Sequence, residues 1–593
     1  MHMYINQLGS AKIRSLPILI PFSCSLMILM FSMAFVVSYD NVISRYEGPL
    51  LFGLSVFLSL GVSLFILLLF SYIHINKYPL ISLILIFSSF LLKYAMPYYV
   101  FEGYVNYDTP IHYLSALYLR DYRLSLGYHY HSWPSSLFLV DILNTIAELD
   151  FPIDYSLVAL TSRLLIPLTI YSVSKWLLAS SRSILIAMAI LLVFEPFIIH
   201  PCPQITAVAL TIIAIVVFLN WLHMYERKWL YILIILGISI VTYHAVIPIA
   251  FALSILAVLA LFDLALRLDL IKASTSTRYG SSQAWLAVIV LIAVTFSYNI
   301  YTAPFMIKSI VRALTSIPLG GARLDTYPLL IESPKLRWQY DIIANIRRGA
   351  LLLLLGIPLV IIALSLLAKY FMSKLSIVER VFFAITVIAG ANALIHIVFN
   401  VVLNMGIVER FYQIFLILAP ILTAYLYENV SNNSPRKSSI LNVGRVLSSI
   451  VLTSAFIFTP LSMFTSPSYT GLYISAFGKP DLNAAQWMAE HLSAPEVHLD
   501  GSCRLNHLIA LYLYPNNVYK VNLSITRHVE AKALKEDYSY PLGTIITTRK
   551  PLSTGTSIVK GLSDVILDKY IEGIPSYLDK LFSNGVCKVF IRR

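Results

Sequence analysis

Residues 135–149, SSLFLVDILNTIAEL, decide how the rest of the chain is threaded. The stretch is apolar but short, and it carries Asp141 and Glu148, acidic groups that are costly in hydrocarbon, at about 2.5–3.5 kcal/mol on insertion scales. If it crosses a bilayer, Lys175, Arg182, Arg227 and Lys228 all fall on the outer side. If it lies flat in the interface, every one falls inside, which is where the bias of Lys and Arg toward short cytoplasmic loops puts them. The flat placement is therefore expected, as an amphipathic helix along the outer membrane surface.

That question arises only because the composition is that of a membrane protein. Of 593 residues, 58% are hydrophobic and 12% charged, about half the charged share of an ordinary soluble domain. A soluble enzyme is excluded. The net charge of +13 does not point to nucleic acid, because the basic residues stand singly or in pairs between apolar runs, where the cytoplasmic bias already accounts for them. Cys24, Cys202, Cys503 and Cys587 show no CxxC spacing, so neither a zinc site nor a dense disulfide framework is indicated.

Working outward, apolar runs long enough to cross ~30 Å of hydrocarbon occur upstream at 15–38, 48–73 and 78–100. Lys12, Arg14 and Lys77 set the N-terminus and the second turn inside. Downstream, spans are expected at 155–178, 181–199, 203–222, 229–242, 245–267, 284–300, 349–371, 380–403, 408–427 and 441–465. The fold class is thus an α-helical polytopic membrane protein of about thirteen spans over 1–465, with outer loops at 101–154 and 301–348. A small extracytoplasmic α/β domain is expected over 466–593, with a helix at 481–493 and strands at 496–500, 518–521, 543–548 and 587–591. Cys503 and Cys587 both fall in it, as one disulfide or two free thiols.

The chemistry is expected in FEGYVNYDTPIHYLSALYLRDYRLSLGYHYHSWP, residues 101–134, a polar, aromatic and histidine-rich stretch in a largely apolar chain. Asp108 and His112 stand four apart, on one face if the segment is helical. His129 and His131 follow before a Trp-Pro stop. The outer turns at His200-Pro-Cys-Pro-Gln204 and Thr242-Tyr-His244 contribute two more histidines, and broken backbone at membrane depth is tolerated where it lines a wet cavity. The residues alone leave a plainer reading open, in which Asp108 caps a helix and the histidines pack at the lipid interface.

Asp108-Thr-Pro-Ile-His-Tyr113 resembles the acidic motif in the first large outer loop of GT-C membrane glycosyltransferases, and Tyr128-His-Tyr-His-Ser-Trp-Pro134 is similar to the aromatic stretch that follows in that superfamily. The order of spans, loop and outer domain resembles its archaeal members in particular. The resemblance implies transfer of a sugar from a polyprenyl (dolichyl) phosphate carrier in the membrane to a glycan, lipid or protein acceptor, with Asp108 as base. In oligosaccharyltransferase-like members the corresponding carboxylate binds a divalent cation, Mg or Mn. This chain lacks a WWDYG-type motif in its C-terminal part, which disfavours bulk N-glycan transfer to protein. Arg163 and Arg410, ionisable groups within or beside spans, are expected near the carrier phosphate with His129, His131, His200 and His244. Two rival classes stand beside this reading: a GT-C-like scaffold without chemistry, and a lipid or glycan transporter, for which the repeated broken helices are not seen.

Overall fold

The computed structural model describes residues 75–100, 109–122, 134–149, 153–194, 203–224, 226–267, 275–302, 351–371, 376–397 and 409–432, scattered positions at 68–73, 349 and 482–490, and five strands between 496 and 592. The expected spans at 15–38 and 441–465, most of 48–73, and the loop at 303–348 lie outside the described residues. In chain order the helices are α1 (Pro79–Val100), α2 (Thr109–Tyr122), α3 (Ser135–Ala147), α4 (Ile153–Leu177), α5 (Ser181–Phe194), α6 (Pro203–Met224), α7 (Arg227–Tyr243), α8 (Ile247–Arg267), α9 (Thr275–Thr302), α10 (Ile357–Phe371), α11 (Ile377–His396) and α12 (Glu409–Asn432). A π-helical turn, Leu352–Gly356, leads into α10.

Among the described residues, seven helices are long and apolar enough to cross a membrane: α4, α6, α8, α9, α10, α11 and α12. Their burial sorts them. The most apolar windows of α6 and α12 are 78% and 72% buried, against 33% for α9 and 28% for α10, so the first pair is central and the second peripheral. On α10 the side chains of Ile357, Val360, Ile361, Leu364 and Leu367 are all exposed, a face that water would not tolerate over such an area and that lipid tails would. The chain is a polytopic helical membrane protein.

Local sequence explains the ends of the helices. Pro79 and Pro203 begin α1 and α6, where the missing N–H costs nothing. Ser376 caps α11 in a full capping box with Glu379, whose carboxylate also meets Lys369 at the end of α10. Glu428 near the end of α12 accepts from the backbone N–H groups of Ala179 and Ser180 at 3.0 and 3.4 Å, capping the start of α5. These contacts, with Lys175, Arg182 and Lys228, gather at one end of the bundle, the charged end. Close packing tightens the frame: a Cβ on Gly237 of α7 would meet Leu291 Cδ2 of α9 at 2.1 Å, so the two helices cross where only a small residue fits.

Helix α5 is central and short. Its 14 described residues, at about 1.5 Å each, cover about 21 Å. Every residue from Ser183 to Phe194 is buried, so over that length its surroundings are protein. The expected span ran to residue 199, but 195–202 lie outside the described residues. At α9 the helix begins at Thr275, nine residues before the expected 284, because TSTRYGSSQ is polar by composition and still helical in backbone.

Helix α3 has three faces. Ser136, Leu137 and Val140 are buried against the bundle, Phe138, Ile142 and Ile146 form an exposed apolar stripe with Thr145 at its edge, and Asp141 and Glu148 lie on the remaining side. Its 13 residues are too few to span. The helix stops where Glu148 takes a left-handed conformation, φ 50°. Asn144 Nδ2 donates to Leu149 O at 3.0 Å and accepts on Oδ1 from Arg120 of α2 at 3.2 Å, fastening α2 to this turn.

Near the C-terminus β1 (Glu496–Asp500), β2 (Asn522–Thr526), β3 (Ile545–Arg549), β4 (Leu578–Ser583) and β5 (Cys587–Arg592) form a five-stranded sheet in the order β2-β1-β3-β5-β4. β1 pairs in parallel with β2 and β3, while β3–β5 and β4–β5 are antiparallel. The parallel pairs require the crossovers that 501–521 and 527–544 are long enough to supply. The expected strand at 518–521 lies outside the described residues, and β4 had no expectation.

Candidate functional site

Opposite the charged end, the helices bring polar side chains into the bundle. We call this the polar end. His112, in the first turns of α2, is 3% exposed and stacks on Tyr155 of α4, with centroids 6.2 Å apart and an interplanar angle of 25°. Beside Tyr155, Asp154 is fully buried in the first turn of α4. Its Oδ1 accepts from Tyr155 N at 2.6 Å, and a carboxylate is favoured there by the positive end of the helix.

Deeper along α4 sits Arg163, 3% exposed, with its guanidinium carbon 5.7 Å from the centre of the Tyr94 ring on α1. The neighbouring Lys93 is fully buried and donates from Nζ to Leu192 O at 2.7 Å. The ammonium thus meets a backbone carbonyl in the last described turn of α5. Two cations are therefore held inside the apolar frame, each on α1 or α4. Ionisable groups in such a place are expensive and mark functional positions by default.

The first turn of α6 joins these elements to α12. Ser162 Oγ and Thr206 Oγ1 are 2.8 Å apart, and Gln204 Nε2 donates to Gln413 Oε1 at 3.2 Å. Arg163 follows Ser162 on α4, and Arg410 lies three residues before Gln413 on α12. The helices bearing the two arginines thus meet the same turn of α6, while the Arg410 side chain lies outside the described residues. On the far wall His396 of α11 stacks on Tyr412 of α12, 4.5 Å between centroids at 18°.

His244 has a structural task. Its Nδ1 accepts from Val246 N at 3.1 Å and Ile247 N at 3.4 Å, capping α8. An accepting Nδ1 is the nitrogen without the proton, so this capping role holds the ring in one orientation. Ser135 Oγ at the start of α3 donates to Thr242 Oγ1 at 2.6 Å, tying the flat helix to this same turn.

Asp108, His129, His131 and His200 lie outside the described residues, Asp108 directly before the first residue of α2. Among the described residues no group of three or more His, Cys, Asp or Glu side chains could hold a metal ion. Asp154 and Lys93 were not among the sequence candidates. The signal for Lys93 was present: a lysine inside the run at 78–100 is as anomalous as the arginine at 163. No protein-family model matches this chain, and no curated protein is similar to it.

Proposed function

We propose that the chain is a membrane glycosyltransferase of GT-C type, moving a sugar from a polyprenyl (dolichyl) phosphate carrier to an extracytoplasmic glycan, lipid or protein acceptor. On this reading it has about thirteen spans, and both the polar end and the C-terminal sheet, as part of an α/β domain, face outward. Asp108 takes the proton from the acceptor hydroxyl or amide. The acceptor atom bonds to the anomeric carbon, the bond from that carbon to the phosphate oxygen breaks, and the carrier phosphate leaves with the electron pair. Arg163 and Arg410 offset the charge that grows on the phosphate. If a divalent cation takes part, Asp108 is the ligand the resemblance implies.

The observation that carries the reading is the pair of cations, Arg163 and Lys93, buried at the polar end of an apolar bundle, at the end where the helix that follows Asp108 docks through His112 and Tyr155.

The rival scaffold reading also has an observation in its favour. His112, Asp154 and Arg163 are at most 3% exposed, and a protein that lost its chemistry would keep such a frame closed. The two separate in one assay: purified chain, radiolabelled sugars on polyprenyl phosphate, and membrane acceptors. The transferase reading expects transfer from at least one donor. No transfer across a broad donor panel, with the protein folded, leaves the scaffold.

A further inference from the structure

The polar end holds two amides that the proposed transfer does not use. Asn392, on α11 four residues before its final His396, is 1% exposed. Its Nδ2 donates to Ser254 Oγ of α8 at 2.7 Å and to Ile388 O of its own helix at 2.8 Å. Ser254 Oγ spends its proton on Ala250 O at 2.6 Å, and a carbonyl can only accept, so these contacts fix which end of the amide is nitrogen. The oxygen, Oδ1, is buried and meets no donor.

Asn299 repeats the arrangement on α9. Three residues before the final Thr302 and 2% exposed, it donates from Nδ2 to Thr295 O at 2.8 Å, and its buried Oδ1 also meets no donor. Helix α8 packs against both α9 and α11. Two amides flanking one helix, each one turn below the same end of the bundle, thus hold an acceptor oxygen open. Buried acceptors are almost always satisfied, by the chain, by ordered water or by a ligand.

We propose that the buried acceptor oxygens of Asn392 and Asn299, on the two helices that pack against α8, bind hydroxyl groups from outside the chain. Water supplies them at rest, and, resting on the glycosyl-transfer reading, a saccharide supplies them in the working protein. Amide acceptor oxygens suit neutral hydroxyl donors and not phosphate, which separates them from the Arg163 guanidinium.

The test is thiol accessibility in the full chain. Asn392→Cys and Ile385→Cys, the latter at a fully buried position on the same helix, are treated with a membrane-impermeant thiol reagent, and the label is located by peptide mass to separate it from the natural cysteines. A hydrated site labels position 392 at least tenfold faster than 385. Equal, negligible labelling overturns the proposal. Labelling slowed severalfold by millimolar mannose, glucose or N-acetylglucosamine assigns the hydroxyls to a saccharide, and unslowed labelling assigns them to water. If Asn392→Cys does not fold, X-ray radiolytic footprinting of the unaltered chain serves instead: oxidation concentrated within a turn of Asn392, above that at Phe382 and Ile385, is expected, and its absence overturns the site. Labelling without sugar transfer would retain the site and remove the transferase; transfer without labelling would do the reverse.

Discussion

Arg163 makes the sharpest residue-scale demand. Its guanidinium is buried beside Tyr94, and holding it there is justified if it binds phosphate, since guanidinium keeps its charge and pairs two oxygens at once. Losing a charged hydrogen bond costs ~1.5–3 kcal/mol, about a tenfold to hundredfold fall in affinity. Arg163→Gln is therefore expected to weaken binding of a polyprenyl phosphate by that factor, with Arg163→Lys between the two, as read by fluorescence with a labelled carrier. If Arg163→Gln instead lowers the melting temperature and leaves affinity unchanged, the side chain serves the packing of the bundle and not the phosphate. Lys93 is different, because its ammonium already satisfies Leu192 O. Neither its burial nor that of Asp154 follows from composition, since a single charge in an apolar run reads the same whether it snorkels to the interface or turns inward. Asp108, His129, His131 and Arg410 were singled out by residue type and resemblance, and their surroundings lie outside the described residues.

At the scale of elements, α3 carries a lipid-facing prediction. Its apolar stripe of Phe138, Ile142 and Ile146 is expected to rest among acyl chains near the headgroups while Asp141 meets water, the geometry of an interfacial helix. Spin labels at Ile146 and Asp141 test this in bilayers. Oxygen should relax the label at 146 more strongly, and a water-soluble nickel chelate the label at 141; the same response at both sites would mean that α3 is not at the interface. Elements of this kind were legible where length and charge placement agreed. The runs at 78–100, 155–178, 203–222 and 245–267 became α1, α4, α6 and α8 with ends within two residues of those expected, because a bilayer fixes the length of an apolar run. Periodicity served less well where backbone and composition part company. The polar start of α9 reads as loop, and the π-helical turn at Leu352–Gly356 has no apolar period of its own.

For the whole molecule, the charged and polar ends define a direction, and the cytoplasmic bias of Lys and Arg assigns the charged end inside. The charges behind that assignment, Lys175, Arg182, Lys228 and Lys369, lie together at the end where Glu428 caps α5. Thirteen spans would then place the C-terminal sheet outside, on the side of the polar end. Single cysteines at Ser281 and Ser553 are expected to react with impermeant reagent from opposite sides of sealed vesicles, and reaction of both from one side would refute the topology. Sequence alone could give this direction, since it rests on counting charges between apolar runs. It could not give the interior of the polar end, where Ser162 meets Thr206 and Gln204 meets Gln413 across helices that are not consecutive in the chain.

The central claim is that the residue preceding α2 performs sugar transfer at the polar end. Removing a general base costs about 10²–10⁴ in rate, while on the proposed reading the carrier's tail and phosphate are held by other residues. The decisive measurement is transfer of a radiolabelled sugar from purified polyprenyl phosphate by wild type and Asp108→Asn, with donor binding followed in parallel. The account predicts that Asp108→Asn binds donor as wild type does and loses at least a hundredfold in transfer; equal transfer by the two proteins would contradict it.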